Sequence, residues 1–177
     1  WPPRARRSYL YPNDFAHERI ASQFALRSTE KTYRALVLGR PEPDTGRLET
    51  LIGRHPTQRK RFSARVSRGK NAISSYSVVR SGSDLSEVEV VIETGRTHQI
   101  RVHMSEIGHP VVADTLYGGT RWSRIRDESV RSVAQGLGRH ALHAERLVLN
   151  HPRSGERIEL VAPWPEDLVR LARVALP

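Results

Sequence analysis

The chain has 177 residues, with 29 lysines and arginines against 19 aspartates and glutamates, which gives a formal charge of +10. It contains no cysteine, which excludes a disulfide framework, a thiolate zinc site and a cysteine nucleophile. No apolar run approaches the roughly 18 residues that span a bilayer, and Trp1–Arg7 lacks the apolar centre of a signal peptide. We therefore expect one soluble domain, or part of a larger one, in the cytoplasm, with no membrane partner.

The first predicted elements are a helix and a strand. Phe15, Ile20 and Phe24 recur at roughly helical spacing, which predicts a helix over Asn13–Leu26. Thr32–Leu38 is β-branched and apolar, and a glycine and two prolines follow it, as expected of a strand that ends in a turn.

Several short strands are predicted between Arg47 and Thr94. The clearest is Glu87–Val90, whose alternation places valines on one face and carboxylates on a solvated face. After the break at Thr94-Gly95, Thr97 is a suitable N-cap for a short helix that ends at Gly108.

The last third of the chain returns to strands. Asp127-Glu128 is interpreted as part of a loop, and strand-like runs follow at Leu142–Leu149 and Arg157–Ala162. Pro165 opens a final amphipathic helix with two carboxylates in its first turn. Because strands outnumber helices and several look hairpin-connected, we predict an α+β fold with a mixed, largely antiparallel sheet flanked by short helices.

The densest polar segment is Thr94–His103, where a strand passes through glycine into a helix N-terminus that presents amides to anions. His98 and Arg101 are three residues apart and share a helical face. Together with Arg96 they could hold a phosphate, orient a carboxylate or contact a flipped base. A capped surface helix with solvated charges explains the same pattern.

A second basic segment, Arg54–Arg61, is predicted to be a loop between two strands. Its cations and the interleaved histidine and proline favour contact with a nucleic-acid backbone over an ordinary solvated turn. The high arginine content has two interpretations as well: forked donors for phosphates and bases, or arginine replacing lysine on solvated faces.

Metal binding is not expected. His98, His103 and His109 are separated by five and six residues, spacings that match neither a zinc helix nor a structural zinc loop.

Taken together, the motifs resemble those of the RluA-type pseudouridine synthases over roughly residues 13–165. The segments that carry the resemblance are Glu30–Val37, Ile52–Pro56, Glu93–Met104, Gly108–Asp114, Tyr117-Gly118, His140–Ala144 and His151-Pro152.

The resemblance implies an RNA-modifying enzyme that isomerises uridine to pseudouridine in rRNA or tRNA without a cofactor. It implies an α/β domain built around an antiparallel sheet with an RNA-binding cleft. In the family a catalytic aspartate attacks the nucleoside. Tyr33 matches the tyrosine that stacks on the base and transfers protons, and Arg101 matches the arginine that pairs with the aspartate. The predicted RNA-binding residues are Lys31, Arg54, His55, Arg59, Lys60, Arg61, Arg96 and His98.

The chain departs from the family pattern at the aspartate itself. Counting back places the family's His-Arg-Leu-Asp word at about residue 1, which is Trp1, and residues 1–12 contain no such word and no aspartate. Asp14 matches a helix-start position, and Ala113 stands where the family usually has glycine. We therefore predict a non-matching basic end over residues 1–12 and an N-terminally incomplete catalytic domain over residues 13–177.

Three explanations of the departure remain open. The nucleophile and its strand are removed or unrecorded, the upstream sequence is misread, or the chain is a diverged homologue that binds RNA without modifying it. The first two explanations agree with a pseudouridine synthase domain, which the presence of Tyr33 and Arg101 favours, and the third corresponds to the alternative, a catalytically silent RNA-binding homologue.

Overall fold

The structure, a computed structural model, describes residues 12–176, with side chains from residue 14 onward. The predicted non-matching end, residues 1–12, lies outside the described residues except for Pro12. The helices are α1 (Pro12–Ala25), α2 (Gln99–Glu106), α3 (Glu128–Gly136) and α4 (Glu166–Ala175), and a 3-10 turn spans Arg121–Arg124. The strands are β1 (Glu30–Leu38), β2 (Thr45–Arg54), β3 (Phe62–Ser63), β4 (Lys70–Ser81), β5 (Leu85–Ile92), β6 (Leu142–Asn150) and β7 (Arg157–Val161).

The strands form one sheet in the order β3-β2-β4-β5-β1-β6-β7, and every neighbouring pair is antiparallel. The predicted α+β fold with a largely antiparallel sheet is confirmed. The predicted first helix, first strand, last two strands and last helix agree with α1, β1, β6, β7 and α4 to within two residues at the predicted ends. Within residues 12–176, no helix is both long enough and apolar enough to cross a bilayer.

Two local predictions are wrong because a carboxylate has a partner that the local sequence does not show. Glu128 does not lie in a loop but begins α3, and Asp127, the residue before the helix, caps it: its side chain accepts hydrogen bonds from the amides of Ser129 and Val130. Glu87 does not face solvent: it is buried and pairs with Arg34 at 2.7 Å and with Arg80 at 2.6 Å.

The sheet has two differently covered faces, and strand register decides which residue lies on which. Tyr33 is opposite Val90, and two residues along β5 Ile92 is opposite Ser74. Because cross-strand partners project to the same side, Tyr33 and Ser74 share a face. His103 of α2 contacts Ser74, so α2 covers the face that carries Tyr33. On the other face, Arg34 and its carboxylates line a cavity whose wall includes α4.

α2 is held on the sheet by apolar and polar contacts. Ile100 and Met104 are buried in the main core with strand residues such as Val88 and Val90. His103, only 1% exposed, bonds through Nδ1 to the Ser74 hydroxyl and through Nε2 to the Thr50 hydroxyl, both at 3.0 Å. Both ring nitrogens are therefore paired, as a buried imidazole requires.

The two ends of α2 differ in how well the sequence predicts them. Gly108, with φ of 90°, follows the helix, and the amides of Gly108 and His109 bond to the carbonyls of Ser105 and Met104 in a Schellman motif, which confirms the predicted C-terminal glycine. The prediction that Thr97 caps the N-terminus is wrong. His98 is the capping residue, and its left-handed φ of 58° replaces the extended backbone that a side-chain cap needs.

Burial of His103 predicts a pH-dependent stability. Burial lowers the pKa of His103 to about 4, only partly opposed by Glu106. The imidazole of the unfolded chain has a pKa near 6.5. As the pH falls from 6.5 to 4, the unfolded state therefore binds a proton at His103 and the folded state does not, so the free energy of unfolding decreases in that window. Between pH 7 and pH 5, the free energy of unfolding should fall by about 2 kcal/mol more than in His103→Gln, which keeps a donor and an acceptor but does not titrate.

The measurement is urea denaturation at both pH values, and the difference between the two proteins removes contributions from groups that they share. An identical pH dependence in wild type and variant would show that His103 does not remain neutral in the folded protein.

Candidate functional site

The turn between β5 and α2 is held against the sheet by the buried side-chain amide of Gln99. The Gln99 side-chain oxygen accepts hydrogen bonds from the Arg96 amide at 3.0 Å and from the Thr94 hydroxyl at 2.7 Å. Its side-chain nitrogen donates to the Ile73 carbonyl and to the Ser74 hydroxyl in β4, both at 2.9 Å. The backbone that leads into α2 is therefore pinned to the sheet, and the Arg96 side chain also bonds back to it, since its Nε donates to the Asn71 carbonyl of β4 at 2.9 Å.

Arg101 of α2 forms a two-pronged ion pair with Asp114. Its Nε lies 2.6 Å from Oδ2 and its Nη2 lies 2.8 Å from Oδ1. The Asp114 side chain is fully buried and that of Arg101 is 13% exposed. Burial alone would raise the pKa of Asp114, but hydrogen bonds from Arg101 and from the amides of Tyr117 and Leu116 lower it below its ordinary value. Asp114 is therefore an ionised anchor, with three hydrogen bonds to Oδ1 and one to Oδ2.

Tyr117 joins this ion pair to the basic loop. The guanidinium carbon of Arg101 lies 4.9 Å from the centre of the Tyr117 ring, and that of Arg61 lies 5.4 Å from it. Its hydroxyl accepts the Phe62 amide at 2.9 Å and lies 2.9 Å from Nδ1 of His98. The buried phenol of Tyr117 therefore contacts the guanidinium groups of Arg61 and Arg101, the imidazole of His98 and the backbone of β3.

The loop between β2 and β3 is organised by its own basic residues. Arg54 lies 5.6 Å from the Phe62 ring and donates to the Arg59 carbonyl at 3.2 Å. Nδ1 of His55 accepts the amides of Thr57 and Gln58. Arg59, like Lys60, is exposed, and neither forms an ion pair with a residue between 14 and 176. The predicted basic loop is therefore present, with its two outer cations directed to solvent.

The antiparallel strand order brings the predicted RNA-binding residues to one end of the sheet. Arg54 ends β2, Arg96 follows β5, and Lys31 lies at the start of β1, so all three strands have this end in common. Lys31 differs from the loop cations. It is 9% exposed, its Nζ lies 5.8 Å from the Phe24 ring centre, and burial, followed by the charge of Arg27, lowers its pKa.

Tyr33 lies on the sheet face that is covered by α2, the helix that carries Arg101, but the two predicted catalytic residues line different cavities. Tyr33 is half-buried in an apolar groove of about 310 Å³ between β1, β6, β7 and the end of α1, where burial raises the pKa of its phenol. Arg101 and Asp114 line a polar cavity of about 290 Å³ together with His140 and Trp122.

Four residues of this site were not predicted as site residues: Phe62, Asp114, Tyr117 and His140. Asp114, Tyr117 and His140 lie in the segments that carry the family resemblance, so the motifs contained the signal. Phe62 reaches the site only through the β2–β3 pairing, which local sequence does not specify. His140 is half-buried beside Arg101, and burial, then the positive charge of Arg101, lowers its pKa.

The departure at Ala113 has a visible conformational consequence. Ala113 adopts a φ of 59°, in the left-handed region where a glycine carries no steric penalty. The next residue is Asp114, so the conformation of this turn places the Asp114 carboxylate beside Arg101. The glycine that the family usually has at this position therefore suits the backbone that this chain also adopts.

Residues 14–176 contain no group of three or more histidine, aspartate or glutamate side chains arranged to hold a metal ion.

The sequence model of one family, described as RNA pseudouridylate synthase, matches residues 13–106 of the chain. The chain is 40% identical over 157 residues to ribosomal large subunit pseudouridine synthase D of Pseudomonas aeruginosa, covering 88% of this chain and 48% of that protein. It is 38% identical over 163 residues to an RNA pseudouridine synthase of Chlorobaculum parvum, covering 88% of this chain and 50% of that protein.

Among solved structures, the fold is similar to human RNA pseudouridylate synthase domain containing 1, with a TM-score of 0.68 and 29% identity over 88% of this chain and 62% of the human one. The chain spans about half the length of the curated relatives it matches. Because the family model covers more than half of the chain, and the motifs, sheet and relatives agree with it, the chain belongs to the RluA-type RNA pseudouridine synthase family.

Proposed function

We propose that this chain supplies the catalytic domain, residues 13–177, of an enzyme that isomerises uridine to pseudouridine in structured rRNA or tRNA in the cytoplasm. The observation that carries the proposal is that the family match over residues 13–106 includes both Tyr33 and Arg101. The names of the relatives, which specify RNA and, for one of them, the large ribosomal subunit, support RNA as the substrate class.

The position of Tyr33 suits the proposed role. A target base must leave its stack before its glycosidic bond can be attacked. Tyr33 offers an aromatic ring in an apolar groove on the face that α2 covers, and its raised pKa keeps the phenol protonated and able to donate. We assign base stacking and proton transfer to Tyr33.

Arg101 needs a more specific assignment than a simple partner of the nucleophile. Asp114 already occupies its Nε and Nη2 atoms, while Nη1 makes no hydrogen bond to residues 14–176. An incoming catalytic carboxylate would therefore meet Nη1, with the guanidinium held in orientation by Asp114. A cation at that position would favour the ionised form of the nucleophile.

The alternative, a silent RNA-binding homologue, is favoured by one observation. Residues 1–12 contain no carboxylate, and Asp114, the candidate nearest to Arg101, has its oxygens engaged by Arg101 and two backbone amides. Asp14 lies in the first turn of α1. The two hypotheses make the same prediction for RNA binding and opposite predictions for turnover.

RNA binding should depend on the outer cations of the β2–β3 loop. Neutralising Arg59 and Lys60 to glutamine should weaken binding and lower the salt slope of the association constant by about one unit for each phosphate that the loop no longer neutralises. These two are better targets than Arg54 and Arg61, whose side chains pack on Phe62 and Tyr117.

The measurement is RNA affinity from 50 to 200 mM salt. A control with equal charge is Arg170→Gln with Arg173→Gln, two exposed positions of α4 on the opposite side of the sheet. An equal decrease of the slope in the two double variants would mean that the loop is not the contact surface.

Turnover should depend on a carboxylate supplied at the position of residue 1. The chain as given should bind RNA without forming pseudouridine, because the reaction needs a nucleophile. Replacing residues 1–12 with the matching segment of the Pseudomonas relative, including the family's His-Arg-Leu-Asp word, should give turnover. In that chimera Tyr33→Phe should reduce turnover more than RNA affinity, because the ring is kept and the proton is lost.

The assay is chromatography of nucleosides after nuclease digestion, and the matched control is the same chimera with asparagine in place of the supplied aspartate. A chimera that binds RNA but makes no pseudouridine would support the silent homologue. Pseudouridine formed by the unaltered chain would contradict the argument and make Asp14 and Asp114 the first residues to test.

A further inference from the structure

The Tyr117 hydroxyl has a hydrogen-bonding environment that fixes where protons lie. It accepts a hydrogen bond from the backbone N–H of Phe62 at 2.9 Å, and a backbone N–H can only donate. It also lies 2.9 Å from Nδ1 of His98. Within residues 14–176 these are its only hydrogen-bond partners, and Tyr117 is 5% exposed. A buried phenol proton needs an acceptor, and Nδ1 of His98 is the one available.

The alternative assignment is less favourable. If Nδ1 of His98 carried the proton and donated to Tyr117, the phenol oxygen would accept two hydrogen bonds and its own proton would be unpaired in a buried site. The pairing in which Phe62 donates to Tyr117 and Tyr117 donates to His98 satisfies every group. His98 then carries its proton on Nε2.

The Nε2 atom of His98 is free to bind a ligand. It makes no hydrogen bond to residues 14–176 and is not one of the buried unpaired atoms. Burial and the positive charge of Arg101 lower the pKa of His98, so the ring is neutral at pH 7. Its backbone φ of 58° is a strained conformation, held by the surrounding structure, which is common at functional sites.

We propose that the relay from Phe62 through Tyr117 holds His98 as an Nε2–H donor that contacts a carbonyl oxygen of an unstacked RNA base, with Tyr117 as its positioning residue. This inference rests on the proposed function. A neutral donor with a fixed direction suits the edge of a base, whereas the guanidinium group of Arg61, which packs on the Tyr117 ring, suits phosphate.

The first test measures the tautomer of His98 in the free protein by 15N NMR of the imidazole nitrogens at pH 7. His98→Asn, which tolerates the left-handed backbone, assigns the signals by their disappearance. We expect a single Nε2–H tautomer in the wild type and a mixture in Tyr117→Phe, which keeps the ring and removes only the hydroxyl. An Nδ1–H tautomer in the wild type would overturn the relay.

His55 is an internal control for this measurement. Its Nδ1 accepts the backbone amides of Thr57 and Gln58, so its Nε2–H tautomer does not depend on Tyr117. It should be unchanged in Tyr117→Phe. If that variant does not fold, the wild-type tautomer and the RNA titration below still decide the question.

The second test adds a short single-stranded RNA with one uridine and the same RNA with an abasic site at that position. The Nε2–H signal of His98 should move with the first and not with the second, and Tyr117→Phe should weaken binding of the first about fivefold while leaving the second unchanged. Equal movement with both RNAs would assign the contact to phosphate and overturn the base contact.

The outcomes separate this inference from the proposed function. RNA binding with no movement of the His98 signal would contradict the inference and leave the proposed function standing. No binding by the wild type to either the short RNA or a structured rRNA or tRNA would contradict both, whatever the tautomer measured in the free protein.

Discussion

The buried ion pair of Arg101 and Asp114 is the interaction on which the rest of the site depends. It ties α2 to the turn after Ala113, and the same carboxylate accepts the amide of Tyr117. Tyr117 in turn positions Phe62 at the start of β3 and His98 at the start of α2. Three segments far apart in sequence are thereby fixed around one carboxylate.

Such a pair is stable only because the charge of the buried carboxylate is satisfied. Taking a carboxylate out of water costs several kcal/mol unless nearby charges and donors replace the solvent. Asp114 has two guanidinium contacts and two backbone amides, whereas Arg101 keeps one edge uncommitted. In a chain of charge +10, this arrangement leaves a fixed cation facing a polar cavity, which suits the recognition of an anionic substrate and an ionised nucleophile.

The parts of the structure that could be predicted from sequence are those with a local cause. Helical spacing predicts α1, β-branched composition predicts β1, and a proline followed by two carboxylates predicts α4. Alternation predicts that Glu87 shares a face with the next carboxylate, but it does not show that Arg34 and Arg80 of the two neighbouring strands lie on that face and bury it. The pairing of Arg101 with Asp114 and the position of Phe62 beside Tyr117 depend on tertiary contacts. His98 begins α2 with a left-handed backbone, a conformation that no local sequence motif predicts. The family resemblance supplied Tyr33 and Arg101 as site residues, and their roles remain predictions.

A double-mutant cycle on the free energy of unfolding tests the central role of the ion pair most directly. Arg101→Met keeps the apolar stem, and Asp114→Asn keeps an oxygen that can accept the amides of Leu116 and Tyr117, so the cycle isolates the charge pairing. Because both side chains are largely buried, the predicted coupling energy is about 2–3 kcal/mol. A coupling energy below about 0.5 kcal/mol, the range of solvent-exposed pairs, would contradict the account.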